Sequence, residues 1–211
     1  MRCEKCFGRL IMKRFYAFTN IIGIYKLLGI CFFIGIVVGT IVANLFRGFY
    51  MDNFFLFQDS YYQTLKSEEL NSFVVFQMAL IRNVKSFGLL VVLSTTMIGT
   101  PCFLAHATYK GFGVGFLIST AVMRFGVKGI LFYFGYLFPH GLLLFPLLLI
   151  TYVKGYQLNY QLYARNDPAR IRLSTYIPLV LLLVLIILIA SLLEGYFNAG
   201  LLRQIMLNLS Q

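Results

Sequence analysis

Long uninterrupted runs of apolar residues dominate the chain, and most polar residues lie between them. The runs at 27–46 and 176–193 contain no charged side chain. A helix needs about 20 apolar residues to cross the roughly 30 Å hydrocarbon core of a bilayer. A strand of a membrane barrel would instead show alternating polarity over about 10 residues. The pattern therefore predicts an all-α fold, a polytopic integral membrane helical bundle.

The same pattern predicts about five transmembrane helices, at about 24–46, 87–108, 111–127, 130–152 and 174–195. They form a single transmembrane domain at 24–211, preceded by a basic cytoplasmic amphipathic lead-in at 1–23 that suits an anionic membrane surface. The third span is short and rich in glycine, so that residues 111–123 either cross the bilayer or form a re-entrant segment. Residues 47–86 hold many aromatic residues and most of the acids, and we expect them to form a loop along the interface.

Composition and charge agree with a membrane protein. Hydrophobic residues make up 60% of the chain and charged residues 12%, whereas soluble domains have about 45–50% and about 25%. The formal net charge of +11 would also suit a nucleic-acid-binding protein, but the Lys and Arg residues flank the apolar runs. The expected partner is therefore the lipid bilayer and not nucleic acid.

The distribution of basic residues predicts the orientation. With five spans and a cytoplasmic N-terminus, eleven Lys and Arg residues lie inside and seven outside, as the positive-inside rule requires. We interpret the first span as an uncleaved signal anchor, because its apolar stretch is longer than that of a signal peptide and no convincing cleavage site follows it. The chain is thus expected in the cell membrane.

Residues that would carry out catalysis or hold a cofactor are few. His106 and His140 are the only histidines, and the sequence contains no zinc-protease motif, nucleophile elbow or P-loop. The predicted spans hold almost no ionisable residues, which would mark a functional site in a membrane. Cys3 and Cys6 have half of a zinc-site spacing, which leaves a reduced thiol pair or a metal site shared by two copies. We expect no enzyme activity, no catalytic residue, no cofactor and no metal site within the chain.

Two pairs of glycines have the spacing that brings membrane helices together. Gly35 and Gly39 lie four residues apart in the first span, and Gly111 and Gly115 open the third. Small residues at this spacing let helix backbones approach closely in lipid, where the hydrophobic effect does not drive association. The pairs are expected either to pack within the bundle or to bind a helix of a partner.

Three consecutive residues interrupt the predicted fourth span. Pro139 removes a backbone donor and predicts a kink, Gly141 tolerates the distortion, and His140 is placed to cap freed carbonyls or to hold a partner helix. Glu194 directly follows the apolar run at 176–193, and we expect it to be an interfacial acid at the external end of that helix.

An ordered set of segments resembles the stage II sporulation protein M family. Its residues extend over roughly 20–205, and no single segment is specific by itself. The segments are FIGIVVG at 33–39, NVKSFGL at 83–89, TMIGTP at 96–101, KGFGVGF at 110–116, FPHG at 138–141 and ASLLE at 190–194. The chain departs from the wider family at Leu144, where an acid is frequent, and this weakens any acid-dependent role.

The resemblance implies a membrane scaffold without enzyme activity. It implies that the protein anchors two peptidoglycan hydrolases, stage II sporulation proteins D and P, in the mother-cell membrane at the sporulation septum. Such a complex thins the septal wall during engulfment of the forespore. The alternative is a small-molecule transporter or a channel-like subunit, since a broken fourth span and a glycine-rich third segment are typical of helices that line binding sites. Against that alternative stands the lack of an acid within the predicted spans.

Overall fold

The computed structural model describes residues 23–48, 72–96, 98–163 and 176–198, which are helical with short connections and contain no strand. The helices are α1 (Ile24–Leu45), α2 (Ser72–Ser94), α3 (Gly99–Phe125), α4 (Lys128–Leu137), α5 (His140–Tyr163) and α6 (Ile177–Leu192), and α6 continues as a π-helix at Leu193–Asn198. Residues 1–22 of the predicted lead-in at 1–23, which include the thiol pair Cys3 and Cys6, lie outside the described residues.

Four described helices are long and apolar enough to cross a bilayer: α1, α2, α5 and α6 with its extension to Phe197. Their outward faces are apolar, and large side chains such as Phe33, Leu181 and Leu185 are more than half exposed. Contiguous apolar surface of this extent is typical of contact with lipid. The predicted fold class, an all-α polytopic membrane bundle, is confirmed.

The structure replaces the predicted span at 87–108 with parts of two helices. Residues 72–86, which we expected in an interfacial loop, form the first half of α2, and the chain turns back at residues 95–98. The hydroxyl groups of Thr95 and Thr96 donate to the carbonyls of Val92 and Leu93, at 2.8 and 2.9 Å. The same two carbonyls also accept the backbone N–H groups of Thr95 and Thr96, at 3.2 and 3.1 Å, so that the last turn of α2 tightens to bonds between residues three apart. Hydroxyls that bond nearby backbone carbonyls compete with helix continuation, and α2 ends here inside an apolar stretch.

The other predicted boundaries also shift. The short third span at 111–127 belongs to the 27-residue helix α3, and Pro101 lies in its first turn, where proline is tolerated. The fourth span at 130–152 is divided at Phe138 and Pro139, whose peptide bond is cis, into α4 and α5. Pro146, in contrast, lies inside α5 without ending it.

Contacts between helices define their relative directions. Helices α1 and α3 run parallel, since Phe32 lies against Gly111 and Ile36 against Gly115. Helix α2 is antiparallel to α3 and to α6, and α3 is antiparallel to α5. Five segments therefore run along one axis, and α4 folds back against the end of α3 through Gly126, which has a φ of 60°.

Two apolar clusters form the core. One joins the beginning of α1 to α2, α3 and α5 through Leu28, Leu90, Phe103 and Tyr152. The other joins α2, α5 and α6 through side chains such as Phe87 and Leu183. Because both clusters include residues of α2 and α5, these two helices form the centre of the bundle.

A buried amide holds the turn between α2 and α3 against α5. Asn159 is fully buried, and its Nδ2 donates to the carbonyls of Ser94, at 3.3 Å, and of Thr96. Its Oδ1 accepts a hydrogen bond from Thr100 at 3.3 Å. One buried side chain thus bonds backbone groups of a chain reversal and provides the partners that buried polar atoms need.

Candidate functional site

An ion pair joins the middle of α2 to the π-helix after α6. The Arg82 guanidinium donates to Oε1 of Glu194. Glu194 is buried, with 8% of its surface exposed, whereas 56% of the Arg82 side chain is accessible. The second carboxylate oxygen, Oε2, is buried and has no partner among the described residues. An ionised pair in this position is a candidate functional site, because charge inside a bilayer is costly.

Close backbone packing places Glu194 on α2. Gly195 lies so near Phe76 that a Cβ atom there would be 2.8 Å from the Phe76 Cβ. One turn earlier, Asn83 Nδ2 donates to Ser191 Oγ at 3.2 Å, and both side chains are buried. The wide turn of a π-helix is frequent at functional sites, and here it carries the acid of the pair.

A second set of polar contacts joins α2 to α3 and α5. Ser86 Oγ lies 3.4 Å from His106 Nε2, and His106 Nδ1 lies 2.5 Å from the Tyr152 hydroxyl oxygen. The tautomer of the imidazole decides which atom donates in each contact. Together these contacts connect four helices. We refer to the side chains that make them as the polar cluster: Arg82, Asn83, Ser86, His106, Tyr152, Ser191 and Glu194.

The polar cluster corrects the expectation that the spans hold almost no ionisable residues. Arg82 and Lys85 were assigned to a loop, but they lie near the middle of a helix that meets the length and apolarity of a span. Glu194, expected as an interfacial acid, is buried against Arg82. The structure buries Ala79, Asn83, Phe87 and Leu90, at intervals of three and four residues along one face of α2, but the polar residues among them hid this face in the sequence.

The four predicted packing glycines meet in one interface between α1 and α3. A Cβ on Gly35 would lie 2.9 Å from the Phe112 nitrogen, and one on Gly39 would lie 3.0 Å from the Phe116 nitrogen. From the other side, Gly111 and Gly115 face the backbone of α1 in the same way. Both glycine pairs thus pack within the bundle, and a partner helix would reach these glycines only after α1 and α3 had separated.

Pro139, His140 and Gly141 lie at the junction of α4 and α5 and not inside one kinked helix. His140 is the first residue of α5 and is buried. Gly141 is also buried, with the Leu137 side chain against its Cα. The role of His140 in holding a partner helix stays a prediction. The described residues contain no group of three or more His, Cys, Asp or Glu side chains that could hold a metal ion.

The sequence matches the family model described as stage II sporulation protein M over residues 28–198. This range includes every described helix apart from the first residues of α1. The chain belongs to the stage II sporulation protein M family. Searches of curated proteins and of solved structures gave no match.

Membership of the stage II sporulation protein M family confirms the resemblance seen in the sequence. It makes the chain a sporulation-related membrane protein. The matched range contains both halves of the ion pair and all four packing glycines. The polar cluster and the glycine interface therefore belong to the part of the chain that defines the family.

Proposed function

We propose that the protein is a membrane scaffold that anchors and localises peptidoglycan hydrolases at the sporulation septum. Its partners would be stage II sporulation proteins D and P, held in the mother-cell membrane where the septal wall is thinned for engulfment of the forespore. The protein would have no enzyme activity of its own. The observation that carries this proposal is the family match over residues 28–198.

The contacts of the polar side chains within the bundle support the scaffold proposal. Asn83 bonds Ser191, Asn159 bonds the turn after α2, and His106 lies between Ser86 and Tyr152. These contacts join helices to one another, as interhelical hydrogen bonds do in membrane bundles. They suit a rigid platform better than a site for a reaction.

The distribution of charge supports an orientation with the N-terminus in the cytoplasm. When basic residues in the middle of helices are left out, the topology assigns ten Lys and Arg residues to the side of the N-terminus: Arg2, Lys5, Arg9, Lys13, Arg14, Lys26, Lys154, Arg165, Arg170 and Arg172. Five belong to the other side: Arg47, Lys66, Arg124, Lys128 and Arg203. Under the positive-inside rule, the side with ten is cytoplasmic. The loop between α1 and α2 would then share the external side with the hydrolase domains.

The scaffold proposal is tested by affinity purification in mild detergent from sporulating cells, followed by mass spectrometry. Recovery of two peptidoglycan hydrolases in a constant ratio is the expected result. A tagged polytopic protein of unrelated family, purified from the same cells, controls for hydrolases that bind any membrane bait. If the intact bait returns no hydrolase above that control, the proposal is wrong.

A transporter is the second candidate, and one observation favours it. Glu194 provides the acid whose absence from the predicted spans argued against transport, and its Oε2 has no partner in the described part of the chain. However, the cavity of about 340 Å³ between α2, α5 and α6 is lined mainly by apolar residues such as Leu90 and Leu183, and the ion pair is not part of its wall. Substrate uptake into proteoliposomes that is lost in Glu194→Gln would establish the transporter instead.

A further inference from the structure

The outer face of α2 has no packing partner within the described bundle. Its residues are separated by alternating steps of four and three: Val74, Met78, Ile81, Lys85, Gly88 and Val92. All six are exposed. This is the spacing with which one membrane helix packs along another at a small crossing angle. We refer to these six residues as the α2 outer face.

Lys85 is an ammonium group far from either end of the helix. At 1.5 Å per residue, it lies roughly 13 Å from the Ser94 end and roughly 20 Å from the Ser72 end of α2. Lysines reach the membrane surface by extending along lipid when they are near a helix end. From the middle of α2, Lys85 cannot readily place its charge among the lipid head groups.

The described residues provide no second carboxylate for this charge. Glu194 is the only acid among them, and it is bonded to Arg82. An ammonium group in hydrocarbon is retained when it pairs with an opposite charge, faces a water-filled cavity or serves a function. Lys85 faces outward from the bundle, so the complementary group must come from outside it.

Gly88, one turn after Lys85, makes the same face accessible to another backbone. A Cβ atom at Gly88 would have no neighbour within 4 Å, unlike the glycines of α1 and α3, which the bundle already covers. Small residues on exposed membrane helices allow close approach of a second helix. The face thus combines a central positive charge with a site of close approach.

We propose that the α2 outer face binds a transmembrane helix of another protein that carries a carboxylate opposite Lys85. The inference deepens the proposed scaffold function, on which it rests, by naming the docking surface and the chemistry of the partner. Because Lys85 lies roughly 13 Å or more from either end of α2, a carboxylate at the same depth on a neighbouring helix fits it better than a phospholipid phosphate at the membrane surface. A second copy of the chain would place Lys85 against Lys85, and like charges repel.

The full-length protein is tested with synthetic helices in proteoliposomes. The probe is a leucine–alanine helix of about 22 residues, long enough to span the bilayer, with one Glu at its middle. The matched probe has Gln in that position. Binding is measured by energy transfer between fluorophores on the probe and the protein. We expect the Glu probe to bind roughly tenfold more tightly than the Gln probe, the size of a strong interhelical polar contact.

Variants of the α2 outer face test separately how charge and how close packing contribute to binding of the probe. Lys85→Leu should remove the preference for the Glu probe, and Lys85→Glu should restore tight binding to a probe with a central Lys. Gly88→Leu should weaken binding without unfolding the protein, because its Cβ meets no neighbour. The controls are Lys26→Leu and Gly29→Leu, at an exposed lysine near the start of α1 and an exposed glycine with an equally open Cβ position. Both should bind as the wild type does.

Two outcomes would overturn the inference. One is equal binding of the Glu and Gln probes, or an unchanged preference in Lys85→Leu. The other comes from a photo-crosslinker in place of Met78 in cells: crosslinks only to the protein's own residues 49–71, or only to a second copy, would identify a different occupant. Crosslinks to another membrane protein whose spanning helix carries Asp or Glu would support the proposal.

Purification from sporulating cells distinguishes this inference from the scaffold proposal. If the wild type returns the hydrolases and Lys85→Leu returns them equally well, the scaffold stands and the docking surface is wrong. If the wild type returns no hydrolase but the Glu probe binds in a Lys85-dependent manner, the docking surface stands and its natural partner is a different protein.

Discussion

At the scale of single residues, the fold depends on how the buried polar groups are paired. Asn159 shows full pairing, because its amide bonds two carbonyls and a hydroxyl of a chain reversal. Glu194 shows partial pairing, because Arg82 bonds Oε1 while Oε2 is without a partner among the described residues. Each unpaired polar group in hydrocarbon is costly. Substitutions at Asn159 and at the Arg82–Glu194 pair should therefore affect the free energy of unfolding in different ways.

Replacement of Asn159 should destabilise the protein without changing its surface. In Asn159→Leu, the carbonyls of Ser94 and Thr96 lose the amide donor and the Thr96 carbonyl keeps only the Gly99 N–H, and we expect the free energy of unfolding to fall by about 2 kcal/mol. The measurement is unfolding in mixed detergent, followed by circular dichroism. Tyr163→Phe is the control, since it removes only an exposed hydrogen bond to the Thr95 carbonyl and should cost less than about 1 kcal/mol. Equal losses would show that Asn159 does not hold the turn.

Substitutions of Arg82 and Glu194 should have non-additive effects on the free energy of unfolding. Arg82→Leu leaves a buried carboxylate without its partner, so the single variant should be less stable than the double variant Arg82→Leu with Glu194→Leu. We expect a difference of about 2 kcal/mol between them, because removal of one member of a buried pair is worse than removal of both. The four proteins of the double-mutant cycle are compared in the same unfolding experiment. A double variant as unstable as the sum of the single variants would mean that the two charges act independently.

At the scale of helices, α1 and α3 are held together by backbone contact. The four glycines of this interface come from two pairs that are distant in sequence but lie at the same level of the bundle. Asn44 Nδ2, farther along α1, donates to Ser119 Oγ at 3.2 Å. A low-hydropathy helix such as α3 is thereby placed beside the apolar helix α1 along most of its length.

Two glycines of the same helix provide a matched test of that interface. In Gly111→Ala, the new methyl group would lie 3.2 Å from the Phe32 Cα and closer still to its carbonyl, so α1 must move. In Gly113→Ala the Cβ has no neighbour within 4 Å, and alanine favours a helix by roughly 1 kcal/mol over glycine. We expect Gly111→Ala to lower the midpoint of thermal unfolding and Gly113→Ala to leave it unchanged or raise it. The reverse order would contradict close packing at Gly111.

Some of these elements could be predicted from the sequence and others could not. Helix α1 followed from an unbroken apolar run, and the structure places its ends within one residue of the predicted span. Helix α2 did not, because Arg82, Asn83 and Lys85 resemble a polar loop until their contacts with other helices are known. Its end at residues 95–98 depends on threonine hydroxyls and on Asn159, which is distant in sequence.

The candidate site, too, could be predicted from the sequence only in part. The glycine spacings indicated close packing, and the structure shows which backbone each glycine meets. The polar cluster was missed, because periodicity describes one helix at a time and the cluster requires four. Glu194 was noted as a residue of interest, but only the antiparallel packing of α2 and α6 brings it to Arg82.

At the scale of the whole molecule, the contacts imply five crossings although only four described helices are apolar enough by themselves. Helix α3 is not among the four, but it lies parallel to α1 between Gly111 and Ser119. If α1 spans the bilayer, α3 occupies the same depth. The start of α1 and the end of the π-helix then lie on opposite sides, and the turn after α2 is on the same side as the start of α1.

This topology predicts opposite accessibility at the two ends of α3. With the four native cysteines replaced, Ile98→Cys before α3 and Val127→Cys after it each provide one exposed thiol. If the N-terminal side is cytoplasmic, as proposed from the positive-inside rule, a maleimide that cannot cross the membrane should label Val127→Cys in intact cells and Ile98→Cys only after permeabilisation. Labelling of only Ile98→Cys in intact cells would retain the crossing of α3 and reverse the orientation. Equal labelling of both thiols would mean that α3 does not cross the bilayer, and the topology with five spans would be wrong.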